Sequence, residues 1–227
     1  MALADVQKVA VDAIKSSALR IARRSARAQV YILTEYLWGE EGPEQIALER
    51  TGAAAPPAWL AKLIAAQLAD EHRHARMIRD RLAELGVTPR EAPPLAKIKL
   101  WWLDRACARF LDSFEAGPIV VALAAAARFE ATGVRIFSRH IAVLERSGTD
   151  ATMLAMLRSI VGDEHRHARS CAAAAKRLVR DDEQAEFAAL TERVAKIDRA
   201  FGVTLAMRYW LLLATLATRD RVQGELR

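Results

Sequence analysis

The sequence predicts an all-α fold: four long helices in a bundle, a shorter crossover helix and an extra C-terminal helix. Three observations carry this. About a fifth of the 227 residues are Ala, the strongest helix former. Gly and Pro together number 17, too few for the turns of a sandwich or barrel. Apolar residues recur at three- and four-residue spacing almost throughout, the period of an amphipathic helix. The length suits one domain over residues 1–227, with a bundle core over about 6–180 and a C-terminal helix over about 181–218.

A first long helix is expected over about residues 6–38, interrupted at Gly39-Glu40-Glu41-Gly42-Pro43 and resuming to Arg50. Residues 51–57 read as a turn. A second helix covers about 58–85 and stops at Gly86, followed by a proline-rich loop through Pro94. A shorter helix covers 96–114, with Gly117-Pro118 as its break. A third long helix runs to Arg146, and Ser147-Gly148-Thr149-Asp150 turns the chain, with Asp150 as N-cap of a fourth over 151–179. The last helix begins near Asp181 and reaches about Thr218, with a bend expected at Gly202.

Two cysteines, Cys107 and Cys171, are too few for a disulfide framework or a four-thiolate metal site, and read as thiols in a reducing cytoplasm. Asp5, Lys8 and Asp12 interrupt any secretory pattern at the N-terminus. The longest uncharged runs, 116–127 and 209–218, fall short of the roughly 20 residues a membrane span needs, so no transmembrane segment is expected. The formal charge of +6 permits an acidic partner such as tRNA or an acidic carrier protein. Arg is scattered along every helix, so the charge demands neither.

Four of the five histidines lie in two copies of one string. Asp70-Glu71-His72-Arg73-His74-Ala75-Arg76 recurs letter for letter as Asp163-Glu164-His165-Arg166-His167-Ala168-Arg169, 93 residues on. Two similar helical hairpins joined by a crossover make the ferritin-like form of the four-helix bundle. On the second helix Leu60, Leu63, Ile64, Leu68, Ala75, Ile78 and Leu82 form an apolar stripe that contains Glu71 and His74. On the fourth, Glu164 and His167 follow Leu154, Leu157, Ile160 and Val161. A carboxylate on a buried face costs several kcal/mol unless a charge or metal compensates it. These Glu-x-x-His pairs therefore predict a cation between them. His72 and His165 turn about 100° away from the preceding Glu and read as bystanders.

The other two helices must complete the set. On the third, Val120, Leu123, Ala127, Val134 and Phe137 mark the inner face, and Glu130 lies on it. On the first, Ile21, Ala28 and Ile32 lead to Glu35. Counting helical rise from the turns places Glu130 level with Glu164, and Glu35 level with Glu71 if the first helix resumes after Pro43. That argument favours Glu35 over Glu40, Glu41 or Glu44. The expected metal ligands are Glu35, Glu71, His74, Glu130, Glu164 and His167, a set that suits iron or manganese better than a thiolate-loving metal.

Asp70-Glu71-x-Arg73-His74 and Asp163-Glu164-x-Arg166-His167 resemble the Asp-Glu-x-Arg-His signature of the di-iron carboxylate oxygenases. That group includes bacterial multicomponent monooxygenases, soluble acyl-carrier-protein desaturases and the ribonucleotide reductase small subunit. In the family a further acidic residue lies upstream of each signature. Here 34 residues separate Glu35 from Asp70, and 32 separate Glu130 from Asp163. The resemblance implies that Asp70 and Asp163 each support the histidine of the opposite helix, with Arg73 and Arg166 pairing with these aspartates. It covers about residues 35–169. Ile78 stands where the reductase subunit carries its radical Tyr, and Gly133 and Val134 stand where many monooxygenases place a Thr. Two cysteines exclude the rubredoxin module of rubrerythrins. Small di-iron hydroxylases of tRNA or quinone precursors, and aldehyde-deformylating oxygenases, have comparable length.

The implied activity is dioxygen-dependent oxidation of a small organic substrate by two Fe per chain, with Mn/Fe as the alternative pair. Hydroxylation, N-oxygenation and desaturation all fit. Electrons must come from a separate reductase or ferredoxin, since no flavin or nicotinamide motif is present, and a homodimer is expected. The competing readings are a ferritin- or rubrerythrin-like protein that oxidises iron or reduces peroxide, and a basic helical adaptor for nucleic acid.

Overall fold

In the computed structural model, which describes residues 3–42, 47–50, 56–88, 94–148 and 150–225, Ser25 divides the first predicted helix in two. Helix α1 is Leu3–Ala22 and α2 is Ala26–Glu40. Ser25 is extended, and its Oγ accepts from the Ala28 amide at 3.1 Å, the N-cap geometry that starts a new helix. The same hydroxyl donates to Asp220 Oδ2 at 2.6 Å, so the residue that opens α2 also ties it to the far end of the chain. No Gly or Pro marks this break.

The later elements lie close to the expected ones. Helix α3 is Ala58–Glu84, α4 is Pro94–Cys107 continued by a 3-10 turn at Ala108–Phe110, α5 is Pro118–Ser147 and α6 is Ala151–Leu178. After a 3-10 turn at Asp181–Glu183, α7 runs from Gln184 to Glu225. It is continuous through Gly202, where a bend was expected, and a Cβ there would stand 3.6 Å from Gln7 and Val11 of α1, ordinary packing distance. The reversal between α5 and α6 rests on Gly148, at φ +62°, and Asp150, at φ +57°. A short polar side chain tolerates that left-handed region. Asp150 Oδ1 accepts from the Met153 amide at 2.9 Å as N-cap, and its Oδ2 takes Arg81 at 2.7 Å. The expected turns at 51–57 and 87–94 and the break at Pro43 lie largely outside the described residues; residues 47–50 are helical.

Helices α2 with α3, and α5 with α6, pair as two hairpins, and α3 meets α6 across the bundle. The crossover α4 leans on α7, and α7 lies along α1. Together α1 and α7 form an outer layer over α2 and α5. One apolar core gathers Ile32, Leu33, Ile78, Leu82, Leu157 and Ile160. Another gathers Leu60, Ile64, Leu123, Cys171 and Ala174. Along α3, α5 and α6 the two cores are separated by a layer of buried polar residues: Gln67, Glu71 and His74, then Glu130, then Glu164 and His167.

The continuity of α7 revises the expectation drawn from uncharged runs. By length and composition alone, Asp181–Gly224 is long and apolar enough to cross a membrane, and 17% of its apolar window is buried. The buried part includes Ala206, Leu213 and Ala217, while Met207 and Leu211 are exposed. Trp101 and Trp102 of α4 are also exposed, packed edge to face at 5.2 Å.

Asp150→Ala removes both the α6 cap and the Arg81 contact, and should lower stability by about 1–2 kcal/mol in denaturant melts. Asp150→Asn, which keeps the cap and tolerates φ > 0, should recover at least half of that loss.

Candidate metal centre

The helical period places the polar layer. On α3, Leu60, Ile64, Gln67, Glu71, His74, Ile78 and Leu82 step by four and three along one buried stripe. On α6 the corresponding stripe is Leu157, Ile160, Glu164, His167, Cys171 and Ala174. Glu130 lies on the buried face of α5 between Leu123 and Phe137. From α2, Leu33, Tyr36, Leu37 and Glu40 supply the fourth wall, with Glu40 in the last turn.

Six side chains converge, in two overlapping groups of four whose ligand atoms all lie within 4.8 Å of one another. One group is Glu40, Glu71, His74 and Glu164; the other is Glu71, Glu130, Glu164 and His167. Glu71 and Glu164 belong to both. His74 Nδ1 lies 3.0 Å from Glu40 Oε2, 3.7 Å from Glu164 Oε1 and 3.9 Å from Glu71 Oε2. His167 Nδ1 lies 3.1 Å from Glu71 Oε1 and 3.6 Å from Glu130 Oε1. All six residues are buried. The arrangement is compatible with a dinuclear metal site.

Two observations test that fit. Glu71 Oε1 and His167 Nδ1 are buried without a hydrogen-bond partner, although only 3.1 Å apart, because the two atoms are not aligned as donor and acceptor. Buried polar atoms are rarely left so, and a cation between them would satisfy both. The donor set itself is carboxylate oxygen and imidazole nitrogen, the chemistry of iron, manganese or zinc.

The opposite edges of the imidazoles are held across the bundle. His74 Nε2 meets Asp163 Oδ2 at 3.1 Å, and His167 Nε2 meets Asp70 Oδ2 at 3.2 Å, so each motif's aspartate supports the other motif's histidine. Arg73 bonds both Asp70 and Asp163. Arg166 does the same, at 2.6 Å to Asp70 and 2.7 Å to Asp163. Partial burial works against ionisation of Asp70, yet hydrogen bonds from Arg73, His167 and Arg166 hold its carboxyl at about 2. Asp163 is lowered by His74 and Arg166 in the same way. With Nε2 engaged outward, each Nδ1 is directed at the carboxylates.

Without a cation, protons balance the layer. Burial, reinforced by the neighbouring Glu71, raises the Glu40 carboxyl to about 8 despite the opposing contact with His74. Burial and the facing Glu130 push Glu164 well above the ordinary carboxylate range. Burial alone would lower both imidazoles. The carboxylates instead hold His74 above its ordinary value, through Glu40 first, and His167 at about 10, through Glu130 and Glu71. Gln67 donates to Glu130 Oε1 and accepts from Cys171 Sγ at 3.2 Å, which fixes one carboxylate from the apolar side.

Glu35 does not join the cluster; Glu40 occupies the place assigned to it. Glu35 lies one residue before the buried Tyr36, turned by about 100° from it. Its Oε1 accepts from Tyr31 at 2.6 Å, and burial raises its carboxyl above the ordinary value. The expectation counted helical rise from Glu35 onward to residue 51, whereas α2 ends at Glu40. The Leu33, Tyr36, Leu37, Glu40 spacing was the available signal for the residue that was missed. His72 and His165 are exposed. His140, the histidine outside the repeat, is buried, its Nδ1 2.9 Å from the Tyr36 hydroxyl. Burial lowers that imidazole to about 4.

A cavity of about 1000 Å³ opens beside the cluster. It is lined by all four carboxylates, Glu40, Glu71, Glu130 and Glu164, and by neither His74 nor His167. Access is therefore from the carboxylate side, while the imidazoles and their Asp–Arg lattice close the other. Val30, Phe129, Ile136, Phe137 and Leu212 make much of the wall apolar, and Trp38 borders it. Gly133 shapes the boundary: a Cβ there would stand 2.5 Å from Glu164 Oε2. No protein-family model and no curated protein matches the chain.

Gly133→Ala should leave the helix as stable or more so, since Ala is the better helix former by about 0.5–1 kcal/mol. It should also displace the Glu164 carboxylate and weaken metal uptake about 10- to 100-fold, read by titration against a chelator of known affinity. Glu40 gives a second outcome. Its folded-state carboxyl, at about 8, binds a proton that the unfolded chain releases near 4.5. Metal-free stability from this group is present below 4.5 and lost as pH rises towards 8. Glu40→Gln should flatten that part of the pH profile, measured by denaturant melts at pH 5 and pH 8 in chelator.

Proposed function

We propose that the chain is a dioxygen-activating di-iron oxidoreductase acting on an organic substrate. The observation that carries this reading is that two ligand groups share Glu71 and Glu164 and open onto one large, mainly apolar cavity. In this reading Glu71 and Glu164 are shared ligands. Glu40 with His74 completes one site, and Glu130 with His167 the other. The bound iron pair supplies the capacity to accept electrons and reduce dioxygen. The rest is done by the chain's own residues.

Asp163 and Asp70 fix the tautomer and orientation of the two histidines, and Arg73 and Arg166 keep these aspartates ionised. Gly133 leaves room for the Glu164 carboxylate at the cavity wall. Gln67 holds Glu130. The apolar wall excludes water from the substrate and keeps it against the carboxylate face. Protons that Glu40 and Glu164 hold in the metal-free layer leave when a cation enters, so loading is coupled to proton release. The cavity favours an organic substrate over simple iron oxidation, because a site that handles only ions and peroxide has no use for an apolar chamber of this size. Electrons come from a separate reductase or ferredoxin in this proposal.

Protein from iron-replete cells should carry about two Fe per chain, and the reduced form should change its optical spectrum on exposure to dioxygen. Glu71→Ala, which removes a shared ligand, should lose both irons while the chain stays helical by circular dichroism. Metal-free wild-type protein from such cells, or iron content unaffected by Glu71→Ala, would overturn the proposal. Ferrous iron or peroxide turnover that is insensitive to filling the cavity would favour the rival reading.

A further inference from the structure

Beyond the metal ligands the cavity wall carries cationic side chains, and Arg139 lies nine residues, about 14 Å of helical rise, along α5 from Glu130. Lys15 and Arg139 line that wall, beside Lys99 and Asp198. Asp198 is already saturated: it accepts from Lys99 Nζ at 2.7 Å, from Arg128 at 2.6 and 3.0 Å, and from Arg135 at 3.3 Å. Arg139 reaches Asp12 with one nitrogen, while its Nε is buried without a hydrogen-bond partner. Lys15 forms no ion pair or hydrogen bond among the described residues. Five cations thus face Asp12, Asp198 and Glu35, and Glu35 is tied to Tyr31. Burial, then Arg139, Lys99 and Arg135, lowers the Lys15 amine to about 8 against the opposing pull of Asp198.

The Lys15 ammonium and Arg139 Nε lack a hydrogen-bond acceptor among the described residues, and in a half-buried, low-dielectric wall such donors are costly unless an acceptor meets them. The fold retains them on the wall of the cavity, where a bound molecule can supply that acceptor. We infer that the cavity takes a ligand with an anionic head group, a carboxylate or a phosphate, on an apolar body. The head sits at Lys15 and Arg139, and the body runs along Ile136, Phe137 and Leu212 to the carboxylate face. This rests on reading the cavity as the substrate chamber, and it narrows the substrate to an amphipathic anion. Lys15 and Arg139 are binding and positioning residues in this scheme.

The test is calorimetric titration of the full chain with decanoate, decyl phosphate and decan-1-ol, on protein as purified and after chelator treatment. The chelator arm removes direct ligation of the head group by iron. At least one anion should bind about tenfold tighter than the alcohol, the worth of one charge-assisted contact. Preference for decanoate alone identifies a carboxylate, and for decyl phosphate alone a phosphate. Lys15→Met should abolish most of the preference without changing decan-1-ol binding, and Lys15→Arg should keep it. Equal binding of anion and alcohol, no binding of any probe, or a preference that survives Lys15→Met would overturn the inference. Because the wild-type comparison needs no variant, it stands even if Lys15→Met does not fold. Iron content is measured separately, so a failure here is distinguishable from failure of the di-iron reading.

Discussion

Four glutamates and two histidines buried in one layer of an apolar bundle are the constraint on which the remaining structure depends. Removing even one ion from water costs several kcal/mol, and a well-packed hydrophobic layer of similar volume would be easier to fold. The chain offsets that cost in three ways. Glu40 and Glu164 hold protons beyond the ordinary carboxylate range, which lowers the number of buried charges. The two imidazoles sit against carboxylates on one edge and aspartates on the other. Arg73 and Arg166 then cross-link the two aspartates at the bundle surface, where the guanidinium groups remain partly hydrated. Each compensation is conditional on a cation-free layer or is strengthened by a cation within it, so ligand occupancy and folding stability are linked.

The letter-for-letter repeat explains how so dense a polar cluster can be built. An antiparallel pair of identical segments on α3 and α6 places each aspartate opposite the other segment's histidine, so one short string satisfies itself twice. The arrangement also polarises the centre. Imidazoles, aspartates and arginines occupy one side, and the four carboxylates face the cavity. Symmetry within the repeat therefore produces a site with one open face, because the third and fourth walls, α2 and α5, approach from the same side as the cavity.

Much of this was legible in the sequence, for physical reasons. Glu71, His74, Glu130, Glu164 and His167 stand on long, regular stripes in uninterrupted helices, where the 3.6-residue period propagates reliably and an inward carboxylate is conspicuous. The structure brings these five together. The sixth position was not legible by the same route. The chain starts a new helix at Ser25, so the phase of residues 6–22 says nothing about the face of α2. Spacing could not arbitrate either: 29 residues separate Glu40 from Asp70 and 34 separate Glu35 from it, against 32 between Glu130 and Asp163. Choosing correctly required knowing where α2 ends, and helix ends are the least regular part of a periodic pattern. His140 was not legible for a different reason: it pairs with Tyr36, more than a hundred residues earlier, and no local pattern encodes that pair.

The division of labour along the chain follows from where the cavity walls originate. The candidate metal ligands come from α2, α3, α5 and α6, and the repeated string supplies four of the six. The far wall comes from segments outside the motif: Lys15 and Leu19 of α1, Lys99 and Leu100 of α4, and Asp198, Leu205, Tyr209 and Leu212 of α7. These residues do not contribute to the ligand cluster, yet they determine the charge, width and polarity met by anything that reaches the carboxylates. Substitution in α1 or α7 can therefore change which molecule is accepted while the polar layer, fixed by α3 and α6, stays intact. Under the proposed function, a centre built by one set of helices and a selecting wall built by another let the same chemistry meet different substrates. Here α1 places Lys15 on the cavity wall and α7 places Leu205, Tyr209 and Leu212 there, so charge and apolar surface reach the same chamber from two helices outside the motif.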